Sequence, residues 1–452
     1  MTPTLYTPKD ESLILLSHYY SDICQVASSF DSPQNPYRSL VADMIRDSPI
    51  IFNCAMSMSA SHLSQMGYTS SEPLAFQTEA ISLIAKGVAN IEAGSNSMIL
   101  ADRAVCPRKT KDDLLLGIIL LGMTTSWHDP SSLGLFHFHG ARQLFSIWIV
   151  ENDMTKLQLP GSYMQRLIVS SMIYWEVMAA CLIDQDTDTF SYLDIFSNQP
   201  RIFFSYPCPW TGVGTGVFIL LAKCIAVVRK HRTGHSNMWC FGSAISNLAL
   251  VQKALALIQE FETTQIPSVE EIQETGDFFA PADHLYKIAV SHKLVGILEL
   301  YRSFPGIRQA FSQPTDTLIN FTHVDNGQQR LHSQCTLELA VKILGIMKTI
   351  PEDSRTVSIQ TLILLSAGST LRFYSTSDRE MVTNWRRFVL DRLRRVYIRL
   401  RLQTINQAAA ILKEVWVRMD SMEARSSGCE SPIMHVHWMD VMVDNKLETI
   451  LG

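Results

Sequence analysis

The stretch HFHG places His137 and His139 two residues apart with His128 nearby, and imidazoles this close hold a metal ion when a strand or tight turn aims them at one point. On a helix, side chains two apart diverge. No cysteine or carboxylate stands at a spacing that completes a site, so these histidines are read as packing or capping residues, as are His435 and His437 of HVHW. The run GVGTG, with Gly212, Gly214 and Gly216, partly resembles a phosphate-cradling loop but lacks a preceding strand, the full glycine fingerprint and a lysine. It reads as a turn leading into a helix. No Gly-x-Ser-x-Gly elbow, His-Glu-x-x-His motif or carboxylate pair marks a catalytic centre. The expectation is a protein that is not an enzyme and takes no metal or cofactor.

Two groups of side chains invite binding instead. Between residues 386 and 401 lie seven arginines, Arg386, Arg387, Arg392, Arg394, Arg395, Arg399 and Arg401, with Asp391 the only acid among them. As a helix this segment should bury Leu390, Leu393, Tyr397 and Leu400 and spread the arginines over its outer faces. Two readings stay open there: a solvated, ion-paired face, or a surface for phosphates, an acidic partner or nuclear import. The second group is Trp127, His128, Phe138, Arg142, Trp175 and Glu176, which could line a cavity between helices for a small molecule. Ordinary core packing is the competing reading for each of them.

Helices must position these side chains, because apolar residues recur three and four apart through nearly the whole chain and strict alternation is hard to find. The expected fold class is all-α, a large irregular array of antiparallel helix pairs. In the first segment Leu13, Leu16, Tyr20, Ile23 and Val26 or Ala27 share one face and are expected in the core. That segment stops at SSFDSPQNPYRSL, where Pro33 and Pro36 cannot continue a helix and Ser29, Asp31 and Asn35 favour turns. Further helices are expected over Ile50–Met66, Pro73–Ile91, Lys111–Trp127, Phe136–Val150, Gln165–Ile183, Gly216–Lys230 and Ala244–Thr263. Others should follow over His284–Ser303, Gln329–Lys348, Val357–Phe373, Arg379–Leu402 and Ile405–Met422, before a short apolar closing segment that docks on the body. Exposed connections are expected at GSNSMILADRAVCPRKTKD, QDTDTFSYLDIFSNQPRIFFSYPCPWTGVGTG and RSFPGIRQAFSQPTDTLINFTHVDNG. No fixed-period repeat is evident.

Composition sets the outer limits. Hydrophobic residues make up 47% of the 452 and charged residues 18%, so the chain is folded and much of it is interior. With 38 basic against 43 acidic residues its formal charge is -5, and no global field draws it onto nucleic acid or an anionic membrane. The apolar runs from Leu114 to Met123 and from Val217 to Val228 fall short of the roughly 18–20 residues that span a bilayer. The start, MTPTLYTPKDESLILLSHYY, has neither a basic leader nor a cleavage site, so an intracellular protein is expected. The nine cysteines are scattered and are expected to be free thiols.

Three stretches together resemble the fungal-specific transcription factor regulatory domain, which usually follows a binuclear zinc cluster. LLSHYYSDICQVASSFDSPQNPYRSLV and SPIIFNCAMSMSASHLSQM are similar to its opening helix pair, including the step Ala60, Ser61, His62, Leu63. KDDLLLGIILLGMTTSWHD followed by LFHFHGARQLF is similar to its apolar helix and the beginning of the next, at His139, Gly140, Ala141 and Arg142. RRFVLDRLRRVYIRLRLQTINQAAAILKEVWVRMD resembles its closing pair, with Trp416, Arg418 and Asp420. The segment LILLSAGSTLRF keeps Ala367 and Gly368 but lacks the tryptophan-proline that often precedes them. The six cysteines of a zinc cluster are also missing, since Cys24 and Cys54 stand thirty residues apart.

The resemblance implies a transcription regulator that senses an effector or partner and controls dimerisation or activation. Its implied partners are a DNA-binding regulator or the transcription machinery, a second copy of itself and a small-molecule effector; from the residues themselves, no DNA-binding module is seen and no membrane contact is expected. The implied location is the nucleus. The division expected is a tail over 1–11, the regulatory domain over 12–422 and a docking segment over 423–452. A cytoplasmic scaffold or metabolite-binding protein on the same fold is the alternative, because fold alone does not fix function.

Overall fold

The computed structural model describes residues 8–68, 73–98, 111–154, 161–197, 204–235, 242–305, 307, 326–374, 377–426 and 436–451. Among them the elements are helices, and one isolated bridge joins Cys208 to Gly212. In chain order they are α1 (Pro8–His18), α2 (Leu40–Asp47), α3 (Pro49–Gln65), α4 (Pro73–Met98), α5 (Asp112–Met123), α6 (Thr125–His128), α7 (Leu135–Glu151) and α8 (Tyr163–Leu182). Then follow α9 (Thr215–His235), α10 (Gly242–Thr263), α11 (Ala282–Ser303), α12 (Asn326–Lys348), α13 (Thr361–Gly368), α14 (Arg379–Leu400), α15 (Gln403–Ser426) and α16 (Trp438–Asp444). No helix of the described residues is long and apolar enough to cross a membrane.

The array is built on helices that are apolar all round. From Leu114 to Met123 α5 is buried on every side, as is α8 from Leu167 to Leu182, which is the behaviour of central rather than surface helices. A capping box starts α8: Ser162 Oγ accepts from the Gln165 amide and the Gln165 side chain accepts from the Ser162 amide. Helix α8 packs on α5 and α9, α9 on α10 and α11, and α11 on α12 and α13, while α14 and α15 pair with one another and reach back to α3 through Leu400 and Gln403. Gly122 sets the spacing between α5 and α8. A Cβ there would lie 2.1 Å from the Trp175 ring, so only hydrogen lets the indole approach the helix this closely.

Several expectations are corrected here. The core face of the first segment is Leu15, Tyr19, Ile23 and Ala27, while Leu13 is 65% and Tyr20 37% exposed. A π-turn over Tyr19–Ile23 and the bond from the Tyr19 hydroxyl to the Tyr37 carbonyl hold the side that the three-and-four spacing also allowed. The expected helix over Val357–Phe373 is a 3-10 turn, Arg355–Ile359, followed by α13. The middle connection is not a surface loop: Phe190, Leu193, Phe196 and Trp210 are all buried, because a 3-10 turn over Thr187–Leu193 points its apolar residues inward while its polar ones stay outside. Gly212, at φ +55, makes the turn that leads into α9, in the conformation glycine adopts at least cost. Helix α4 runs on to Met98, and the rest of the first connection, most of the third and His435 lie outside the described residues.

Cys24, Cys54, Cys181, Cys208 and Cys224 are buried free thiols, and burial pushes Cys54 and Cys181 up to about 12. The Gly122 contact yields a direct prediction. Gly122→Ala should lower unfolding stability by about 1–3 kcal/mol through overpacking, whereas Gly140→Ala, with nothing within 4 Å of its added Cβ, should be neutral or slightly stabilising. Urea unfolding of the two variants against the parent checks the contrast.

Candidate functional site

The six residues expected around a cavity divide into two places. Phe138 and Arg142 on α7 meet Trp175 and Glu176 on α8: the Phe138 and Trp175 rings stand edge to face with centroids 5.2 Å apart. Arg142 Nε donates to Glu176 Oε1 at 2.7 Å, its second nitrogen reaches Glu176 Oε2 and the Gln185 carbonyl, and its Cζ lies 4.5 Å from the Phe138 ring centre. The Tyr192 hydroxyl, from the buried connection, closes on the same carboxylate. Burial raises the Tyr192 phenol well above its ordinary range, with the Glu176 charge second. This is a buried, ion-paired knot. Trp127 and His128 turn away to α3, where the Trp127 ring lies 6.2 Å from that of His62 and His128 Nε2 is 2.9 Å from Ser57 Oγ.

The arginine helix is α14, with Arg401 just past its end at the C-cap, and the seven guanidinium groups between 386 and 401 are not alike. Its buried residues are Val382, Val389, Arg392, Leu393, Val396 and Leu400, so the core stripe is turned from the one expected and takes Arg392 inside, with Leu390 and Tyr397 at its flanks. Arg392 is accepted there because Gln360 Oε1 at 3.0 Å and the Ile350 carbonyl at 3.1 Å satisfy it. Arg386 clasps Asp420 of α15 at 2.7 and 2.9 Å, donates twice to the Leu371 carbonyl and lies over the Phe373 and Trp416 rings. Arg399 donates to the Ser354 carbonyl at 3.0 Å. Those three fasten the helix. Arg387, Arg394, Arg395 and Arg401 face solvent, Arg395 beside the exposed Glu352.

A profile of the fungal-specific transcription factor domain matches residues 14–452. The chain belongs to that family. No curated protein and no solved structure matches it. Fungal-specific transcription factor domains are parts of fungal transcription regulators, and this chain is one of that kind. The match runs past residue 422, the expected end of the regulatory domain, through the closing segment.

That closing segment holds the polar centre that sequence reasoning missed. Glu299, near the C-terminal end of α11, is fully buried and accepts from Trp438 Nε1 at 2.9 Å, His437 Nε2 at 2.8 Å and the Ser366 hydroxyl, with Arg302 at 3.5 Å. Burial works against its charge, but His437, Arg302 and these donors hold the carboxyl below its usual range. Burial first, then the charge of Arg232, lowers His437 to about 4, so it is neutral at pH 7. Its Nε2 proton goes to Glu299 and its Nδ1 accepts the Met439 amide at 3.2 Å, capping α16. This is capping, as read for HVHW. His128 and His292 are likewise lowered to about 4 by burial. No cluster of three or more histidine, cysteine or carboxylate side chains able to hold a metal occurs among the described residues. The signal available beforehand was a lone glutamate in an otherwise apolar helical stretch, LVGILELY.

Two outcomes follow. Arg386→Ala should destabilise by about 1–3 kcal/mol, because it strips the Leu371 carbonyl and Asp420 together, while Arg387→Ala, exposed, should leave the thermal midpoint unchanged. For the histidines, native protonation is depressed below the unfolded value near 6.5, so their contribution is full above that pH and lost as pH falls towards 4. Denaturation followed from pH 7 to 4 should show steadily falling stability, with a shallower slope in His437→Gln.

Proposed function

We propose that this chain acts in the nucleus through its helical body, taking its DNA contact from a partner protein and responding to a small-molecule effector. The observation that carries the reading is on α14. Arg386, Arg392 and Arg399 are committed to holding the helix, whereas Arg387, Arg394 and Arg395 on it and Arg401 at its C-cap are exposed, Arg395 paired only with the equally exposed Glu352. Fixed cationic forks presented this way suit an acidic protein surface or an import receptor. The six-cysteine cluster that would contact DNA directly is not in the sequence. Dimerisation belongs to the same proposal, as a second route by which an effector could act.

The test is recovery of partners from nuclear extract with the tagged chain, together with its cellular location, for the parent and for Arg387→Gln/Arg394→Gln/Arg395→Gln/Arg401→Gln. The expected result is nuclear accumulation and capture of a DNA-binding protein by the parent, both lost in the variant at an unchanged circular-dichroism spectrum. Exposed ion pairs are worth under about 1 kcal/mol each, so the variant should stay folded. If location and partners survive the four substitutions, the arginines do not carry the function. Capture of cytoplasmic proteins alone would replace the regulator by a scaffold.

A further inference from the structure

A cleft of about 200 Å³ opens where four separate stretches meet: the turn at 30–34, the first turn of α8, the connection into α9 and the loop between α10 and α11. Its walls are tied to one another by bonds that leave the lining side chains out. The Gln273 amide donates to the Ser205 carbonyl at 2.9 Å, the Ser29 amide to the Pro209 carbonyl at 2.9 Å, and the Ser32 hydroxyl to the Thr275 carbonyl. Phe30, Tyr163 and Tyr206 give the recess an aromatic lining, and the exposed side chains of Gln34 and Gln273 stand at its rim.

Arg166 is the one charged group among the described residues that line it. Its Cζ lies 4.5 Å from the Tyr206 ring centre and 5.3 Å from that of Tyr163, and its Nη1 donates to the Gly161 carbonyl. These contacts fix the guanidinium, while its Nε and Nη2 meet no acceptor among the described residues. No acid answers it. Asp31 is held by Arg38 at 2.8 Å, Glu274 is exposed outside the lining, and the Tyr163 phenol, pushed up to about 12 chiefly by burial, stays neutral at pH 7.

We propose that this cleft binds an aromatic monocarboxylate about one ring in size, its carboxylate on the Nε and Nη2 edge of Arg166 and its flat body among the rings of Phe30, Tyr163 and Tyr206. The open edge of a guanidinium matches the two oxygens of one carboxylate. A phosphate dianion would call for further cations, which the lining lacks. Size points the same way: an apolar cavity of about 150 Å³ holds benzene, and drug-sized sites begin near roughly 300 Å³. Aromatic walls take a planar ligand by offset and edge contacts, and the two rim amides can serve a ring hydroxyl. Because the walls come from four stretches, a ligand seated there favours the arrangement in which all four are assembled.

The proposal deepens the effector reading above and rests on it for its biological meaning, whereas its test stands apart. Calorimetric titration of the full chain with benzoate should give saturable binding, with benzamide, of the same shape but uncharged, weaker by at least about tenfold, the equivalent of about 1.4 kcal/mol. Arg166→Gln should bring benzoate down to the benzamide level. Since Arg166 also holds Gly161, Gln34→Trp supplies a second test from the exposed rim: its indole should close the mouth and weaken benzoate by a similar factor at an unchanged circular-dichroism spectrum. Hydrogen exchange at the Gln273 amide, which bridges two walls, should slow when benzoate is bound. No saturable binding by the parent, parent-like binding by either variant, or unchanged exchange at Gln273 overturns the site, and equal affinity for benzoate and benzamide overturns the choice of a carboxylate. A chain that binds benzoate here yet captures no nuclear partner keeps the site and loses the regulator, and nuclear capture without benzoate binding does the reverse.

Discussion

An ionised carboxylate in a protein interior costs several kcal/mol unless other groups replace its water, and Glu299 is such a group. Its donors come from separate parts of the chain: Ser366 from α13, His437 and Trp438 from the closing segment, Arg302 from its own helix. None of these parts can be absent without leaving the charge exposed to an apolar surround. The requirement reaches further, because Arg302 also donates to Ser369 and Arg232 of α9 holds Asp440. The docking of the carboxyl-terminal segment is therefore a condition of burying α11, and not an ornament added to a finished core.

The rest of the molecule is arranged around the same economy of buried charge. At the α7–α8 junction Arg142 and Glu176 neutralise one another inside a shell of Phe138, Phe190 and Tyr192. On α14, Arg392 enters the core with Gln360 and two main-chain carbonyls as its acceptors. Each clasp ties elements far apart in sequence, which gives an apolar array specificity of register: Leu and Ile faces slide past one another at little cost, and a bidentate guanidinium does not.

Most of the helices were legible because period and punctuation agree: Ser48 and Pro49 mark the start of α3, and Pro281 precedes α11. The face of α1 was not, because Leu13 and Leu15 each begin a stretch of three-and-four spacing and only the tertiary bond from Tyr19 to Tyr37 selects one. The same ambiguity turned the stripe of α14. Among the candidate site residues, Arg142 and Glu176 could be named from the sequence but not paired, since 34 residues separate them. Glu299 escaped notice because a single acid among aliphatic residues carries no motif, and its partners lie 67, 138 and 139 positions away. Sequence order conceals just those contacts that a fold makes over long range.

The thiols of Cys54, Cys181 and Cys224 have a practical consequence. They sit on three of the central helices, α3, α8 and α9, with no exposed sulfur and with ionisation suppressed by burial, and a thiol must be both reachable and ionised to attack an alkylating reagent. Oxidants and alkylators therefore pass over the assembled core. Each of these positions becomes reactive when the helix that carries it comes apart from its neighbours, so the order in which they are modified traces the order in which the array dismantles.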